Sequence, residues 1–227
     1  MATIGFLPVR GGSKSIPNKN RKLLFGKPLL YWNLLALEEC LHIEKIIVAT
    51  DSNDIIETAK SFGFEKITYY NRSAESATDS APTEMVLLEY LESNDVQAND
   101  ELILVQATSP FTTSIHLTEA IELYREKAYD SLLSCVRTKH FIWDEGGKSV
   151  NYNFEERPRR QDFTGNLQEN GALYISLVKH VLYSRNRISG NIGIYEMEAH
   201  TALELDEPHD WIIAEQLMEK YRDDTDA

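Results

Sequence analysis

Cysteine and long apolar runs are scarce in this sequence of 227 residues. Its two cysteines, Cys40 and Cys135, are too few for a disulfide framework and do not have the spacing of metal ligands. No apolar stretch approaches the roughly 18 residues that a membrane-spanning helix needs, so we expect no membrane partner. The first residues, MATIGFLPVR, lack the basic-then-apolar order of a secretory signal. Together these absences predict a cytoplasmic protein.

Acidic residues are missing from one part of the chain, although the formal net charge of the whole is −13. So acidic a composition argues against a nucleic-acid-binding protein, because positive charge dominates the surface with which such a protein binds. Residues 1–37 contain no Asp or Glu but six lysines and arginines, and a second basic cluster lies at Arg157, Arg159 and Arg160. Two cationic clusters on an acidic protein indicate a site for a small, highly charged anion. Chance clustering of surface lysines is the alternative.

Apolar runs typical of buried strands alternate with segments of helical spacing. The predicted strands are residues 3–9, 45–51, 66–71, 101–106, 131–136, 171–177, 191–197 and 203–206. The predicted helices are residues 27–41, 54–63, 80–92, 116–127 and 207–222. Predicted N-caps are one of Asp51, Ser52 and Asn53 for the second helix, Ser80 for the third and Ser114 for the fourth. This alternation predicts an α/β fold with a mostly parallel, doubly wound sheet, whose ligands bind at the carboxyl ends of the strands.

Residues 137–170 break the alternation of strands and helices. This region is polar, contains a Gly-Gly pair and holds the second basic cluster. We interpret residues 1–227 as a single domain in which 137–170 is an insertion, either a lid or an arm that contacts another subunit. The last residues, YRDDTDA, are predicted to form a frayed polar tail.

The segment RGGSKSIPNKN, residues 10–20, directly follows the first predicted strand. Gly11 and Gly12 would let backbone N–H groups turn toward an anion. Positive charge in this loop comes from Arg10, Lys14 and Lys19. Neither the P-loop pattern nor G-x-G-x-x-G is present. The composition favours a loop that binds a triphosphate, and the alternative is an ordinary turn between a strand and a helix.

Two acidic residues occur at the end of the last predicted strand, LELD. Glu204 and Asp206 are two positions apart, so on a strand their side chains would share a face. One or two carboxylates, together with substrate phosphates and water, are the ligands that Mg²⁺ prefers. The pair is therefore a candidate magnesium site, and the alternative is that Asp206 only caps the last helix.

Two further polar segments contain candidate binding residues. QATSP, residues 106–110, ends a buried strand and either hydrogen-bonds a ligand or forms a plain turn. Its polar side chains belong to Gln106, Thr108 and Ser109. Arg159 and Arg160 would bind a carboxylate in fork geometry and Asn170 would bind hydroxyl groups, unless this region is a solvated basic loop.

Taken together, five segments resemble the acylneuraminate cytidylyltransferases, the CMP-sialic acid synthetases. They are LPVRGGSKSIPNKN, QATSP, RPRRQDF, ENGALY and LELDEPHDWIIAEQ, in colinear order from about residue 4 to about residue 220. The middle and the end are most similar to the animal-type members. The resemblance implies a Rossmann-like, three-layer nucleotidyltransferase fold and a homodimer whose arm crosses into the partner's site. It also implies a reaction of CTP with a nine-carbon keto-acid sugar that gives a CMP-sugar and pyrophosphate.

The resemblance, together with the patterns above, implies roles for individual residues. Those expected to bind the nucleotide are Arg10, Gly11, Gly12, Ser13, Lys19, Asn20, Arg72, Ala81 and Thr83. Those expected to bind the acid sugar are Gln106, Thr108, Ser109, Arg159, Arg160, Gln161 and Asn170. Mg²⁺ is the expected cofactor, with Glu204 and Asp206 as its ligands. The expected catalytic residues are Arg10, Lys19 and Asp206.

Three residues depart from the family pattern. Ser15 replaces a glycine of RGGSKGIP, Thr112 replaces the arginine of the TSPLRT found in many bacterial members, and Glu204 replaces the usual aspartate. Glu204 keeps the carboxylate but is one methylene longer, which affects the geometry of a metal site. Two other functions stay open: a cytidylyltransferase for a bacterial analogue such as legionaminic or pseudaminic acid, and a nucleotide-binding regulator without catalysis. The intact candidate residues argue against the regulator.

Overall fold

Nine strands and six helices follow one another along residues 1–221, the part of the chain that the computed structural model describes. The strands are β1 (Thr3–Pro8), β2 (Leu23–Leu24), β3 (Lys27–Pro28), β4 (Lys45–Thr50), β5 (Ile67–Asn71), β6 (Glu101–Val105), β7 (Ser131–Thr138), β8 (Asn166–Leu177) and β9 (Ile192–Met197). The helices are α1 (Leu29–Glu39), α2 (Asn53–Lys60), α3 (Thr83–Ser93), α4 (Ser114–Lys127), α5 (Val178–Ser184) and α6 (Pro208–Tyr221). Short 3₁₀ turns lie at Lys19–Arg21 and Ala199–Ala202.

Seven strands form one sheet in the order β5-β4-β1-β6-β8-β7-β9. β1 pairs in parallel with β4 and β6, β4 with β5, and β7 with β9. Only β8 is antiparallel to its neighbours, β6 and β7. The sheet is therefore mostly parallel, as the alternation of strands and helices predicted.

Helices cover both faces of the sheet because its central strands are apolar on both sides. Phe6 and Leu7, neighbours on β1, are both fully buried and belong to different core clusters. Helices α1, α2 and α4 pack on the face of Leu7, and α3 and α5 pack on the face of Phe6. The three-layer architecture is thus confirmed. No helix within residues 1–221 is long and apolar enough to cross a membrane.

A third core cluster connects the loop after β1, residues 10–22, which we call the opening loop, to helix α6. Ile16 from residues 10–20, Leu205 from residues 203–206, and Trp211 from α6 are all buried in it. The indole N–H of Trp211 also donates to the carbonyl of Leu23 at 3.0 Å. Residues 10–20 and residues 203–206 are far apart in sequence. These contacts hold the two segments together on one side of the sheet.

The prediction of a strand at residues 203–206 is wrong. This segment is irregular: the 3₁₀ turn of residues 199–202 separates it from β9, and its Leu205 is buried in the third core cluster and not in the sheet. In place of a strand ladder it makes single hydrogen bonds: the N–H of Leu205 donates to the carbonyl of Thr108 at 2.9 Å, and the N–H of Asp206 donates to Asp210 Oδ2 at 3.0 Å.

Two predicted N-caps are also wrong. Ser80 lies before α3, whose N-cap is Pro82, a residue with extended backbone angles. Ser114 is the first residue of α4 and Thr113 is its N-cap. The Thr113 hydroxyl accepts from the N–H of His116 at 3.3 Å, and the His116 ring accepts from the N–H of Thr113 at 3.2 Å. This reciprocal pair satisfies two N–H groups at the helix start and places the N-cap one residue earlier than expected.

The region predicted as an insertion is shorter than residues 137–170, since β7 extends to Thr138 and β8 begins at Asn166. We refer to residues 139–165 as the arm. Its aromatic side chains pack on one another, with the Phe141 ring 4.2 Å from that of Tyr152, and Arg157 lies over Phe141 at 4.4 Å. The role of the arm in a dimer stays a prediction. The polar tail and the helix end predicted at 222 lie outside the described residues, apart from Tyr221.

Candidate active site

A cleft with a volume of about 320 Å³ lies at the carboxyl ends of β1, β5 and β6. This is the edge of the sheet at which the sequence predicted a ligand site. The predicted site residues that line it are Arg10, Gly12, Ser13, Lys19, Asn20, Arg72, Ala81, Thr83, Gln106, Thr108, Glu204 and Asp206. The fold therefore brings together most of the residues expected at the nucleotide and both expected metal ligands.

The remaining predicted residues do not line this cleft. Gly11 turns its N–H to Asp51 Oδ1 at 2.8 Å and faces a separate small pocket, so this N–H is not directed at an anion in the cleft. Ser109 is 2 % exposed, and its N–H donates to the carbonyl of Gln106 in a turn. Arg159, Arg160 and Gln161 are exposed on the arm.

The Asn170 side chain, which was expected to bind sugar hydroxyls, does not line the cleft. Asn170 is 1 % exposed. Its amide oxygen accepts from Ser134 Oγ at 2.6 Å, and its amide nitrogen donates to Thr201 Oγ1 at 3.1 Å. Because both ends of the amide bind protein groups, Asn170 connects β8 to the 3₁₀ turn of residues 199–202.

The opening loop, residues 10–22, is closed by its own side chains. Asn18 has a left-handed backbone (φ 54°) that begins the 3₁₀ turn, and the Asn20 amide donates to the carbonyl of Arg10 at 3.0 Å. Lys19 then extends across the cleft. Its Nζ donates to the carbonyl of Leu205 at 2.8 Å and lies 3.2 Å from Asp206 Oδ1. Lys19 thereby connects the cationic loop to the candidate metal ligands.

A carboxylate that the sequence did not indicate pairs with the cations of the opening loop. Asp79 forms ion pairs with Arg10 and with Lys14, the latter at 2.9 Å. Hydrogen bonds from Lys14 and Arg10 lower the pKa of Asp79 below its ordinary value. The Asp79 carboxylate makes the contacts with Arg10 and Lys14 that the oxygens of a bound phosphate would make. Asp79 lies two residues before Ala81, in a segment where the sequence predicted nucleotide contacts, but no role was predicted for this carboxylate.

Glu204 and Asp206 face the cleft on either side of Leu205, which is fully buried. Burial raises the pKa of Glu204, and the nearby charges of Asp206 and Glu169 raise it further. Negative charge at this position is therefore only partly compensated by the protein, and a divalent cation would compensate it. Within residues 1–221 no group of three or more His, Cys, Asp or Glu side chains is arranged to hold a metal. The two carboxylates fit Mg²⁺ because this ion usually completes its shell with water and substrate phosphates.

Arg72 forms the buried end of the cleft. It is 8 % exposed, and burial lowers the pKa of its guanidinium, an effect that the charges of Asp51 and Glu89 oppose. Its Nε donates to Ser76 Oγ at 3.4 Å. A largely desolvated cation held by neighbouring acids is a strong point of attraction for an anionic ligand.

Gln106 lines the cleft next to an arginine that sequence reasoning missed. With its amide nitrogen donating to the carbonyl of Gly171 at 3.1 Å, its amide oxygen accepts from Arg187 Nη1 at 3.0 Å. Arg187 comes from the segment NRISG between α5 and β9, which has no recognisable motif. The pairing of β8 with β6 places Gly171 beside Gln106, and the segment after α5 brings Arg187 to the same amide.

Comparison with known proteins agrees with this geometry. A model of the cytidylyltransferase family matches residues 4–223. N-acylneuraminate cytidylyltransferases of Oncorhynchus mykiss and of Streptococcus agalactiae serotype V are 36% and 31% identical to this chain over 93% of its length. This chain spans about half the length of these relatives, 49% and 52% respectively. A CMP-N,N'-diacetyllegionaminic acid synthase of Legionella pneumophila is 28% identical, with 96% of this chain and 97% of the relative covered.

A solved structure of CMP:2-keto-3-deoxy-manno-octonic acid synthetase complexed with CTP has the same fold, with a TM-score of 0.70 and 18% identity. The alignment covers 97% of this chain and 99% of that one. The Rossmann-like nucleotidyltransferase fold that the family resemblance implied is thereby confirmed. The family match over nearly the whole sequence shows that this chain belongs to the cytidylyltransferase family.

Proposed function

We propose that this chain transfers CMP from CTP to an N-acylneuraminate or Kdn-type nine-carbon acid sugar. The observation that carries the proposal is the cleft itself, in which Lys19 connects a cationic loop to Glu204 and Asp206. Such a cleft suits a ligand with several phosphates. The fish and streptococcal relatives are N-acylneuraminate cytidylyltransferases, which supports the sugar class.

In the proposed reaction the anomeric hydroxyl oxygen of the sugar forms a bond to the α-phosphorus of CTP. The hydroxyl releases its proton to solvent, the bond from that phosphorus to the oxygen bridging to the β-phosphate breaks, and pyrophosphate leaves with the electron pair of the broken bond. Arg10 and Lys19 would stabilise the charge that develops on the leaving group. The carboxylates of Glu204 and Asp206 would hold Mg²⁺, which when bound neutralises phosphate charge and acidifies a coordinated hydroxyl. Positioning and charge neutralisation are the main requirements of such a transfer.

The direct test is pyrophosphate release from a panel of nucleotides and acid sugars. CTP, UTP, ATP and GTP are each combined with N-acetylneuraminate, Kdn, legionaminic acid or pseudaminic acid in the presence of Mg²⁺. We expect pyrophosphate release when CTP is combined with N-acetylneuraminate or with Kdn. Release with CTP and legionaminic acid alone would favour the second candidate, which the Legionella relative supports because it matches along almost its full length. CTP binding without release for any sugar would favour a nucleotide-binding regulator.

Asp206→Asn tests the role of the carboxylate pair. We expect turnover to fall roughly 100-fold or more, because the ligand charge is lost. CTP affinity should stay within about threefold, because the phosphates also bind the opening loop. Glu207→Gln is the matched control, since Glu207 is exposed and does not line the cleft. Near-normal turnover of Asp206→Asn would contradict the assignment.

We further propose that the protein is a cytoplasmic homodimer with sites shared between subunits. In one chain the arm keeps Arg159, Arg160 and Gln161 away from the cleft. The arm also exposes large apolar side chains: Ile142, Trp143, Val150 and Phe154. A contiguous exposed apolar surface of this kind is typical of an interaction site. A second copy bound there would supply the arm's cations to the partner's cleft.

A further inference from the structure

Arg187 joins a residue of the cleft wall, Gln106, to two residues behind it, Glu84 and Tyr174, through a single guanidinium. Its Nε and Nη2 donate to the two carboxylate oxygens of Glu84 at 2.6 and 3.3 Å. Its Nη1 donates to the amide oxygen of Gln106 at 3.0 Å. Its Cζ lies 4.8 Å from the centre of the Tyr174 ring. Only a planar fork with donors on several edges makes all of these contacts together.

The orientation of the Gln106 amide follows from these contacts. The opposite orientation would place the amide oxygen against the carbonyl oxygen of Gly171 and the amide nitrogen against the Arg187 guanidinium. Both contacts would be repulsive, so the two partners select one orientation. An amide has two N–H donors and two lone pairs, and the protein uses one of each. One donor and one acceptor remain for a ligand in the cleft that Gln106 lines.

Arg187 is itself held firmly, which makes it suited to fix another residue. The side chains of Arg187 and Glu84 are 21% and 19% exposed, so water screens this ion pair less than a surface pair. Glu84 is in the first turn of α3, directly after Thr83, which lines the cleft. The pair therefore connects the start of α3 to Gln106 at the end of β6.

We propose that Arg187 is a positioning residue that acts through Gln106, holding its amide in the orientation that binds the acid sugar. The identity of that ligand rests on the proposed function. A polar group fixed before binding costs less conformational entropy on binding and discriminates more strongly between ligands. Arg187 therefore contributes to affinity for the sugar and to its placement through Gln106, while Arg187 itself does not line the cleft in which CTP would bind.

The chain offers a matched control two residues away. Arg185 pairs with Glu92, also on α3, at 2.7 Å. The side chains of this second pair are 61% and 50% exposed, and neither residue lines the cleft. Arg185→Met thus removes an arginine–glutamate pair to the same helix and leaves Gln106 untouched.

The kinetic experiment compares Arg187→Met with Arg185→Met in the wild-type and Gln106→Ala backgrounds. For Arg187→Met we expect kcat/KM for the acid sugar to fall about tenfold or more, while the Kd for CTP changes less than about twofold. Arg187→Lys should recover part of the loss, since a lysine keeps the charge but not the fork. In the Gln106→Ala background Arg187→Met should add less than about a twofold loss, because its effect passes through Gln106. An undiminished further loss there, or equal effects of Arg187→Met and Arg185→Met, would overturn the proposal.

A second measurement does not depend on turnover. The side-chain amide signals of Gln106 in a ¹⁵N-labelled protein are identified by their disappearance in Gln106→Ala. We expect Arg187→Met to shift these signals and Arg185→Met to leave them unchanged. Glu84→Gln, which keeps the size of the side chain, serves as a second variant if Arg187→Met does not fold, and it should shift the signals in the same direction. Unshifted signals in both variants would refute the role of Arg187, whereas absence of pyrophosphate release by the wild-type protein would refute only the proposed reaction.

Discussion

Gly171 shows how one residue without a side chain determines the geometry of this cleft. It has a left-handed backbone (φ 66°) inside β8. A Cβ at this position would lie 2.9 Å from the Gln106 side chain and 3.1 Å from Glu204 Oε2. The absence of a side chain therefore allows a candidate sugar-binding amide and a candidate metal ligand to approach the same backbone.

Gly171→Ala should damage both stability and activity, and Gly63→Ala separates the two effects. Gly63 has nearly the same backbone angle (φ 71°), but a Cβ there meets nothing within 4 Å. Backbone strain should cost each variant about 1–2 kcal/mol in the free energy of unfolding, measured with urea. Only Gly171→Ala should also lose turnover, about tenfold or more, because it displaces Gln106 and Glu204. Normal turnover of Gly171→Ala at an equal loss of stability would show that the close approach has no role in activity.

At the scale of residues, the sequence predicted the members of the site that belong to motifs. Arg10, Lys19 and Asp206 all line the cleft. Asp79 and Arg187 could not be predicted, because each acquires its significance from a partner far away in sequence. The surroundings of Asn170 depend on distant residues in the same way: its motif was visible, but the Ser134 and Thr201 groups that hydrogen-bond its amide were not.

At the scale of elements, the sequence predicted the strands and helices well and their ends less well. Apolar runs identified the central strands, because these are buried on both faces. LELD also has strand-like alternation, but Leu205 packs against Trp211 and Ile16 in a separate cluster and not in the sheet. Alternation of apolar and polar residues indicates that one side of a segment is buried, but it does not indicate which element covers that side. The start of α4 likewise depends on Thr113 and His116 satisfying each other, a reciprocal contact that a preference for serine at N-caps did not indicate.

The segment between β5 and α3 contacts the opening loop through Asp79, and this contact would compete with a phosphate ligand bound there. The Asp79 carboxylate neutralises Arg10 and Lys14, two cations that a triphosphate would use. Since the pKa of Asp79 is lowered, the contact is fully formed above the ordinary range of a carboxyl group and is lost only as the pH falls through the lowered value. At neutral pH, CTP would have to displace a charged carboxylate.

Asp79→Asn should therefore bind CTP about two- to fivefold more tightly than the wild type at low ionic strength. The gain should shrink as salt is added, because both the lost contact and the phosphate contacts are screened. Titration calorimetry at two salt concentrations measures both effects. Asp54→Asn is the control, since Asp54 pairs with Arg21 of the same loop outside the main cleft. Weaker binding of CTP by Asp79→Asn would mean that Asp79 contributes to the nucleotide site and does not compete with it.

At the scale of the whole molecule, the distribution of charge separates two cationic regions. The formal net charge is −13, yet one cationic region lines the cleft and the other, with Arg159 and Arg160, is on the arm. Within one chain the arm's arginines do not line the cleft. If they bind the sugar acid, as the motifs predict, they must either move or belong to the cleft of a second copy.

Mixing two inactive variants distinguishes these alternatives. Asp206→Asn carries its defect in the cleft, and the double variant Arg159→Ala/Arg160→Ala carries its defect on the arm. If arms cross between subunits, half of the dimers in an equal, re-equilibrated mixture contain one intact site of two, so activity should recover to about a quarter of the wild-type value. If each arm serves its own cleft, every site in the mixture stays defective and no activity returns.

Asp206→Asn mixed with Lys19→Met is the control, because both defects lie in the cleft of one chain and exchange of subunits repairs neither. Light scattering on the wild-type protein establishes independently whether a dimer forms. A monomer, or a dimer without recovery in the first mixture, would contradict a shared site.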